Sequence, residues 1–174
     1  IYEHCKRAID RACNYGGKIR LEEGSNVLVP CNFGANGLPK IGIGDWNDGF
    51  STIGPEGKGE SVWLGFFLYE IISDFVKMMN KLDKKFNTEE YSKFNEKLYD
   101  ALNKKAWDGE YYLRAYFDNG DKLGSHENSE CKIDLISQSF SILSEVVPKD
   151  RLQQVINSVE DNLVDNDSKI IKLL

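Results

Sequence analysis

From Ser61 to Leu82 apolar side chains return every three or four positions, with Trp63, Phe67, Ile71, Phe75, Met79 and Leu82 in one row and Leu64, Leu68 and Ile72 in a second. A stripe that wide needs cover from more than one side, so the segment reads as a helix among neighbours and the row begun by Trp63 and Phe67 reads as core. The same spacing recurs. Tyr2, Cys5, Ile9 and Ala12 mark a narrower stripe over residues 1–15. Tyr91, Phe94, Leu98, Leu102 and Ala106 mark another, opened by the cap-like Asn87 with Glu90 three positions on and closed near Trp107. Ile133, Ile136, Phe140 and Leu143 begin a fourth, and after Pro148 the set Leu152, Val155, Ile156, Val159 and Leu163 gives a fifth.

Two stretches break the period. Residues 16–60 are rich in glycine and carry Pro30, Pro39 and Pro55, which reads as a long loop region with a short strand at Asn26 to Val29. Ordered loops of that length are uncommon and often functional. The aromatic run Glu110 to Phe117, followed by Asp118-Asn119-Gly120, reads as a strand and turn of a small hairpin. Antiparallel helices joined alternately by short turns and long loops make a mainly α fold, a helical toroid or solenoid. Without an internal repeat, a solenoid of identical units is disfavoured. With 174 residues and 41% apolar content the chain is long enough for one domain with a real core. It starts inside an apparent helix and stops at Ile170 to Leu174 with no polar tail, so a single segment of a longer protein is expected over 1–174.

Charge and composition exclude several classes. There are 28 acidic against 22 basic residues and no concentration of Lys and Arg, which argues against nucleic acid. No run reaches the roughly 18 to 20 apolar residues of a membrane span, nor does the N-terminus resemble a secretory leader, so a cytoplasmic, soluble protein is expected. Cys5, Cys13, Cys31 and Cys131 are scattered and read as reduced thiols in packed positions. His4 and His126 lack the spaced partners of a metal shell, and no metal is expected.

The loop Gly44-Asp45-Trp46-Asn47-Asp48-Gly49 concentrates two carboxylates, an indole and an amide. That is the composition of a sugar site, since aromatic faces stack on the C–H face of a pyranose while carboxylates and amides hold its hydroxyls. Acid catalysis there needs a carboxyl still protonated near neutral pH, which burial beside an indole favours. Either aspartate can serve on these grounds. The competing reading, of equal weight on spacing alone, is that both merely cap turns. Nucleotide binding is not supported. Gly54-Pro55-Glu56-Gly57-Lys58-Gly59 misses the spacing of a phosphate-binding loop, and the run from Gly42 to Asn47 ends in asparagine where a dinucleotide fingerprint needs glycine.

Five segments together resemble glycoside hydrolase family 94: Gly37 to Gly49, Gly57 to Leu64, Ala106 to Tyr112, Arg114 to Asp118, and Leu123 to Asp134, in the same order along nearly the whole chain. That family contains cellobiose, chitobiose and β-1,2-oligoglucan phosphorylases and the phosphorylase-like domain of cyclic β-1,2-glucan synthases. The glycine after the second aspartate looks closer to the β-1,2-glucan branch. The resemblance implies an (α/α)6 barrel, of which these residues supply the middle or later helices. It also implies that Asp48 is the general acid and Trp46 a sugar contact. The sequence departs from the pattern in a longer approach around Ser25 to Asn36 and in Phe50-Ser51, where Met-Asn often follows. The family's phosphate-binding histidine and threonine, and its upstream Arg-Asp segment, do not fall within these residues.

The expected reaction is inverting phosphorolysis of a β-glucan oligosaccharide or disaccharide, with inorganic phosphate as co-substrate and no cofactor. Asp48 gives the proton, Trp46 forms a stacking wall, Asn47 fixes Asp48 or a sugar hydroxyl, and Asp45 orients the loop. An inverting hydrolase needs a second carboxylate about 6.5 to 9.5 Å from the acid to activate water. Asp45, with only two residues between it and Asp48, is poorly placed to be that base on the far side of a sugar ring. Arg114 reads either as a contact to a sugar hydroxyl or carboxylate or as a packed surface group. Glu60 reads as a helix-start carboxylate serving the dipole, and Lys132 as a residue without a special role. Glucan hydrolysis or transglycosylation on the same fold and a non-catalytic carbohydrate-binding remnant are the competing functions. The full-length enzyme is expected to form a homodimer by the same resemblance.

Overall fold

The computed structural model describes residues 2–14, 33–82 and 87–174. The anticipated strand at Asn26 to Val29, Cys31 and most of the Ser25 to Asn36 insertion lie outside them. Within them the order is α1 (Tyr2–Asn14), β1 (Glu60–Ser61), α2 (Val62–Leu82), α3 (Glu89–Lys105), β2 (Ala115–Tyr116), β3 (Lys122–Leu123), α4 (Leu135–Leu143), α5 (Lys149–Leu163), β4 (Val164–Asp165) and β5 (Ile170–Ile171). The fold is mainly helical, as the periodicity implies.

The helix ends have local causes. Glu89 and Glu90 open α3 and Lys104 and Lys105 close it, each sign at the end of the dipole that favours it. Its start lies at Glu89, two residues after Asn87, whose side chain accepts the Glu89 amide at 3.0 Å. Asp134 caps α4 by accepting the Ser137 amide at 3.0 Å. Pro148, with φ of −62°, precedes α5 and sets its entry.

The long helix α2 is the spine, packed against α3 on one side and α4 on another, while α5 backs α4. The core is made by Val62, Phe66, Ile72, Phe75 and Met79 of α2, Leu98 and Leu102 of α3, Tyr112 and Leu113 before β2, and Val155 of α5. Leu68, Ile72, Phe75 and Met79 of the expected rows are buried, but the rest of the reading of α2 is corrected. Phe67 is 39% exposed, Ile71 38% and Leu82 70%, whereas Val62 and Phe66 are fully buried. Periodicity identified an apolar row, but neighbours decide which row is covered, and Phe140 of α4 meets Trp63 and Phe67 only edge-on. The thiol reading also changes at one position. Cys5 and Cys13 are half-buried, but Cys131 is exposed in the loop before α4. Among the described residues no helix is long and apolar enough to cross a membrane.

The first sheet has the order β1-β2-β3, antiparallel throughout, with Ser61 opposite Ala115 and Ala115 opposite Leu123. The hairpin of β2 and β3 is therefore real but shorter than the aromatic run implied, and the sheet gains a third strand, β1, where the sequence reads as the end of the loop and the start of a helix. Gly120 donates to the Phe117 carbonyl at 2.9 Å and closes the turn. Residues 39–41 lie along the other edge of β1, through Ser61 N–H to the Pro39 carbonyl at 2.8 Å and Ile41 N–H to the Gly59 carbonyl at 2.9 Å.

Two carboxylates, Glu60 buried and Asp118 partly exposed, fix the remaining loop. Glu60 accepts the Asn36 amide at 3.0 Å, the Asn36 side-chain nitrogen at 2.6 Å and the Leu38 amide at 3.1 Å, so it serves residues 36–38 instead of a helix dipole. Asp118 accepts the Glu56, Lys58 and Gly59 amides at 2.7 to 2.8 Å and ties that turn to the hairpin.

Candidate active site

The loop carrying the two aspartates rests on the sheet through a small second core, in which Ile41, Ile53 and Ala115 are buried and Phe50, Phe117 and Leu123 pack around them. Alternate residues of the loop then face in or out. Asp45 faces in. Its carboxylate meets Arg114 fork to fork, Nη1 to Oδ2 and Nη2 to Oδ1, both at 2.7 Å, and neither side chain is exposed. Ser61 donates its hydroxyl to Asp45 Oδ2 at 2.7 Å and the Asn47 amide donates to Oδ1 at 3.1 Å. Burial alone would raise this carboxyl's pKa, but the hydrogen bonds from Arg114 and Ser61 and the guanidinium charge outweigh it and hold Asp45 below the ordinary carboxylate range. Asp45 is thus an ionised, fully engaged group with no proton to give.

Arg114 is completely buried, not a surface group, and its fork points at Asp45. Its Nε lies 3.4 Å from Asp134 Oδ2, and its Cζ sits 4.6 Å from the centre of the Phe50 ring. The backbone dictates that placement. Arg114 N–H donates to the Leu123 carbonyl at 2.8 Å and its carbonyl accepts the Val62 amide at 3.2 Å. Gly124, at φ of +74°, lets β3 come this close, because a Cβ there would lie 2.8 Å from the Arg114 nitrogen. Asp134 shares the guanidinium with Asp45, and burial pushes its carboxyl above the usual range despite the Ser137 amide and the Arg114 charge.

Asn47 caps a single 3₁₀ turn, Asp48–Phe50. Its side-chain oxygen accepts the Gly49 amide at 2.9 Å and its carbonyl accepts the Phe50 amide at 3.2 Å. The turn-capping reading of the two aspartates therefore holds in part for Asp45, which accepts the Asn47 amide, while the cap of the 3₁₀ turn is Asn47. Asp48 differs from its neighbours: the residue is exposed, and the hydrogen bonds of the loop pass around its carboxylate. The dry setting expected around it is not formed by the described residues, because Asp45 and Phe50 occupy the inward positions of the loop. Beside it the Trp46 indole is 45% exposed. Trp46 meets Trp63 edge-on at 6.4 Å, and Trp63 stacks on Phe67 at 5.4 Å with the rings 7° from parallel. Phe140 stands edge-on to both, so four aromatic side chains make one continuous wall. No group of three or more metal-ligating side chains converges among the described residues.

The structure brings Asp45, Asn47 and Arg114 into one network and leaves Asp48 and Trp46 on its outer side. Sequence reading missed Ser61, Phe50 and Asp134 as members of that network. Asp134 gave a capping signal before an apolar run, but nothing in its spacing pointed to Arg114, 20 positions earlier.

Comparison with known proteins bears out the family resemblance. The family model described as "Glycosyl hydrolase 94 superfamily, catalytic domain" matches residues 1–173. The chain is similar to the cyclic beta-(1,2)-glucan synthase NdvB of Rhizobium meliloti (strain 1021), with 40% identity over 173 residues, 99% of this chain and 6% of that protein. It is similar to the solabiose phosphorylase of Paenibacillus borealis, with 33% identity over 76% of this chain and 17% of that enzyme. It is also similar to the N,N'-diacetylchitobiose phosphorylase of Vibrio proteolyticus, with 26% identity over 94% of this chain and 18% of that enzyme. The chain thus spans less than a fifth of each of these relatives.

Proposed function

Because this chain belongs to the glycosyl hydrolase 94 superfamily, we propose that it is part of the (α/α)6 catalytic domain of an inverting β-glucoside phosphorylase. Asp48 donates its proton to the glycosidic oxygen as the bond from that oxygen to the anomeric carbon breaks. A phosphate oxygen forms its bond to the same carbon from the opposite face, and β-glucoside becomes α-glucose 1-phosphate. Phosphate arrives as an anion, so no second carboxylate has to generate a nucleophile.

One observation carries the assignment of the acid. Of the two aspartates in the loop, Asp45 is buried and committed to Arg114 and Ser61, while Asp48 is turned outward beside an exposed indole. Only Asp48 is free to exchange a proton with something bound above the loop. The carbohydrate, together with parts of the protein beyond these residues, supplies the cover under which that proton is held. Trp46 is the wall against which the sugar lies, and Asn47 acts by shaping the turn. Arg114 contributes from beneath, through Asp45. The 40% identity with a protein named as a cyclic beta-(1,2)-glucan synthase favours a β-1,2-linked glucan as the carbohydrate.

The locked state of Asp45 also bears on the hydrolytic alternative, since an ionised group buried under the loop cannot reach water on the far face of a sugar. The test uses the complete protein that carries these residues. With β-glucan oligosaccharides and phosphate, glucose 1-phosphate is the expected product, and Asp48→Asn abolishes it. Equal sugar release with and without phosphate would establish hydrolysis instead, and binding with no turnover under either condition would establish a non-catalytic domain.

A further inference from the structure

Arg114 holds the Asp48 loop at both ends. Three residues before Asp48, Asp45 takes the two terminal guanidinium nitrogens at 2.7 Å each. Two residues after it, the Phe50 ring lies 4.6 Å from the guanidinium carbon. The stretch between has little freedom, because the Asn47 amide bonds back to Asp45 and the Asn47 side chain and carbonyl take the Gly49 and Phe50 amides. On its remaining side the guanidinium faces Asp134, whose own carboxylate is fixed by capping α4. The Arg114 backbone is paired to residues on either side, Val62 and Leu123.

Buried ion clusters are poor devices for stability, since well-packed apolar residues of the same volume often do as well or better. Two carboxylates on one fully buried cation beneath an exposed loop therefore call for a geometric explanation. We propose that Arg114, turned by Asp134, is the positioning residue of the Asp48 loop, and that Phe50 is its second anchor point beside Asp45. The inference rests on Asp48 being the proton donor. Phe50 gains a role from this that its departure from the Met-Asn pattern does not reveal: its ring face closes over the cation that Asp45 pairs.

Three conservative changes in the complete protein test the clamp. Arg114→Lys keeps the charge and loses the fork, Phe50→Leu keeps apolar bulk and loses the ring face, and Asp134→Asn keeps a capping oxygen for Ser137 and loses the charge. Misplacing a catalytic group by about 1 Å costs up to about a hundredfold in rate, so kcat for phosphorolysis is expected to fall about tenfold or more in each. KM stays within about twofold of the parent, because the saccharide contacts are untouched. Parent-like kcat in the folded variants, or a rise in KM with kcat retained, overturns the inference. Should Arg114→Lys fail to fold, Phe50→Leu decides alone, since it leaves no buried charge unpaired. Asp48→Asn is measured beside them to separate two failures. If it keeps phosphorolysis, the proton-donor reading falls; if it is inactive while the three variants keep kcat, only the clamp does.

Discussion

Gln138 accepts the Tyr112 amide at 2.9 Å and donates to the Tyr112 carbonyl at 2.7 Å, so one side chain of α4 completes both backbone hydrogen bonds of a buried residue just before β2. It does for Tyr112 what a neighbouring strand would do, and it joins the helical layer to the sheet that carries Arg114. Replacing Gln138 by Leu strands both groups away from water. The expected cost is about 2 to 4 kcal/mol in folding stability, read from the midpoint of urea unfolding of the complete protein. A loss under about 0.5 kcal/mol would mean that water takes over both bonds.

Gly124 and Gly109 both sit at positive φ, +74° and +108°, but in different surroundings. A Cβ on Gly124 would lie 2.8 Å from the Arg114 nitrogen and 2.9 Å from the Arg114 Cβ, whereas one on Gly109 meets nothing within 4 Å. Gly109→Ala therefore costs only backbone strain, about 1 kcal/mol. Gly124→Ala adds a clash with paired backbone and is expected to cost about 3 kcal/mol or more. Thermal unfolding of the two variants should show the gap directly.

Asp108 accepts the His126 amide at 3.0 Å and the Tyr111 and Glu110 amides at 3.2 Å, and its side chain is fully covered. Burial alone would push its carboxyl up, but these hydrogen bonds prevail and hold it below the ordinary carboxylate range. A lowered folded-state pKa gives a stabilisation that is complete above the unfolded value, about 4, and is lost as pH falls through the folded value. Asp108→Ala should therefore cost about 1 to 3 kcal/mol at pH 7, with the difference from the parent shrinking below about pH 4. A pH-independent difference in denaturant midpoint would show that the ionised carboxylate is not the source.

Trp46 meets the Trp63 ring edge-on and leaves nearly half of its surface open. Trp46→Ala is expected to cost less than about 1 kcal/mol in stability. If the indole is the sugar platform, the same change raises the KM for β-glucoside about tenfold, the equivalent of roughly 1.4 kcal/mol of stacking. An unchanged KM would place the saccharide elsewhere.

The helices were legible because each carries an apolar row at helical spacing, and the turn at Asp118-Asn119-Gly120 was legible because its residue types fit so few conformations. The buried side of α2 was legible at Leu68, Ile72, Phe75 and Met79 but not in its first turns, where only α3, α4 and the segment before β2 distinguish Val62 and Phe66 from Trp63 and Phe67. The motif from Asp45 to Asp48 was visible, but its division of labour was not. That division depends on Ser61, Arg114 and Asp134, which come from three separate elements and meet only in the folded chain. β1 escaped notice because two residues, Glu60 and Ser61, carry no alternation.

In the loop from Ile41 to Phe50 the inward positions are bound into the scaffold, while Ile43, at 79% exposure, and Trp46 project from its rim. Mutation can exchange those two side chains without removing a hydrogen bond from the platform below. If the rim is where the saccharide lies, its recognition can change one rim residue at a time while the hydrogen bonds that hold the loop stay in place.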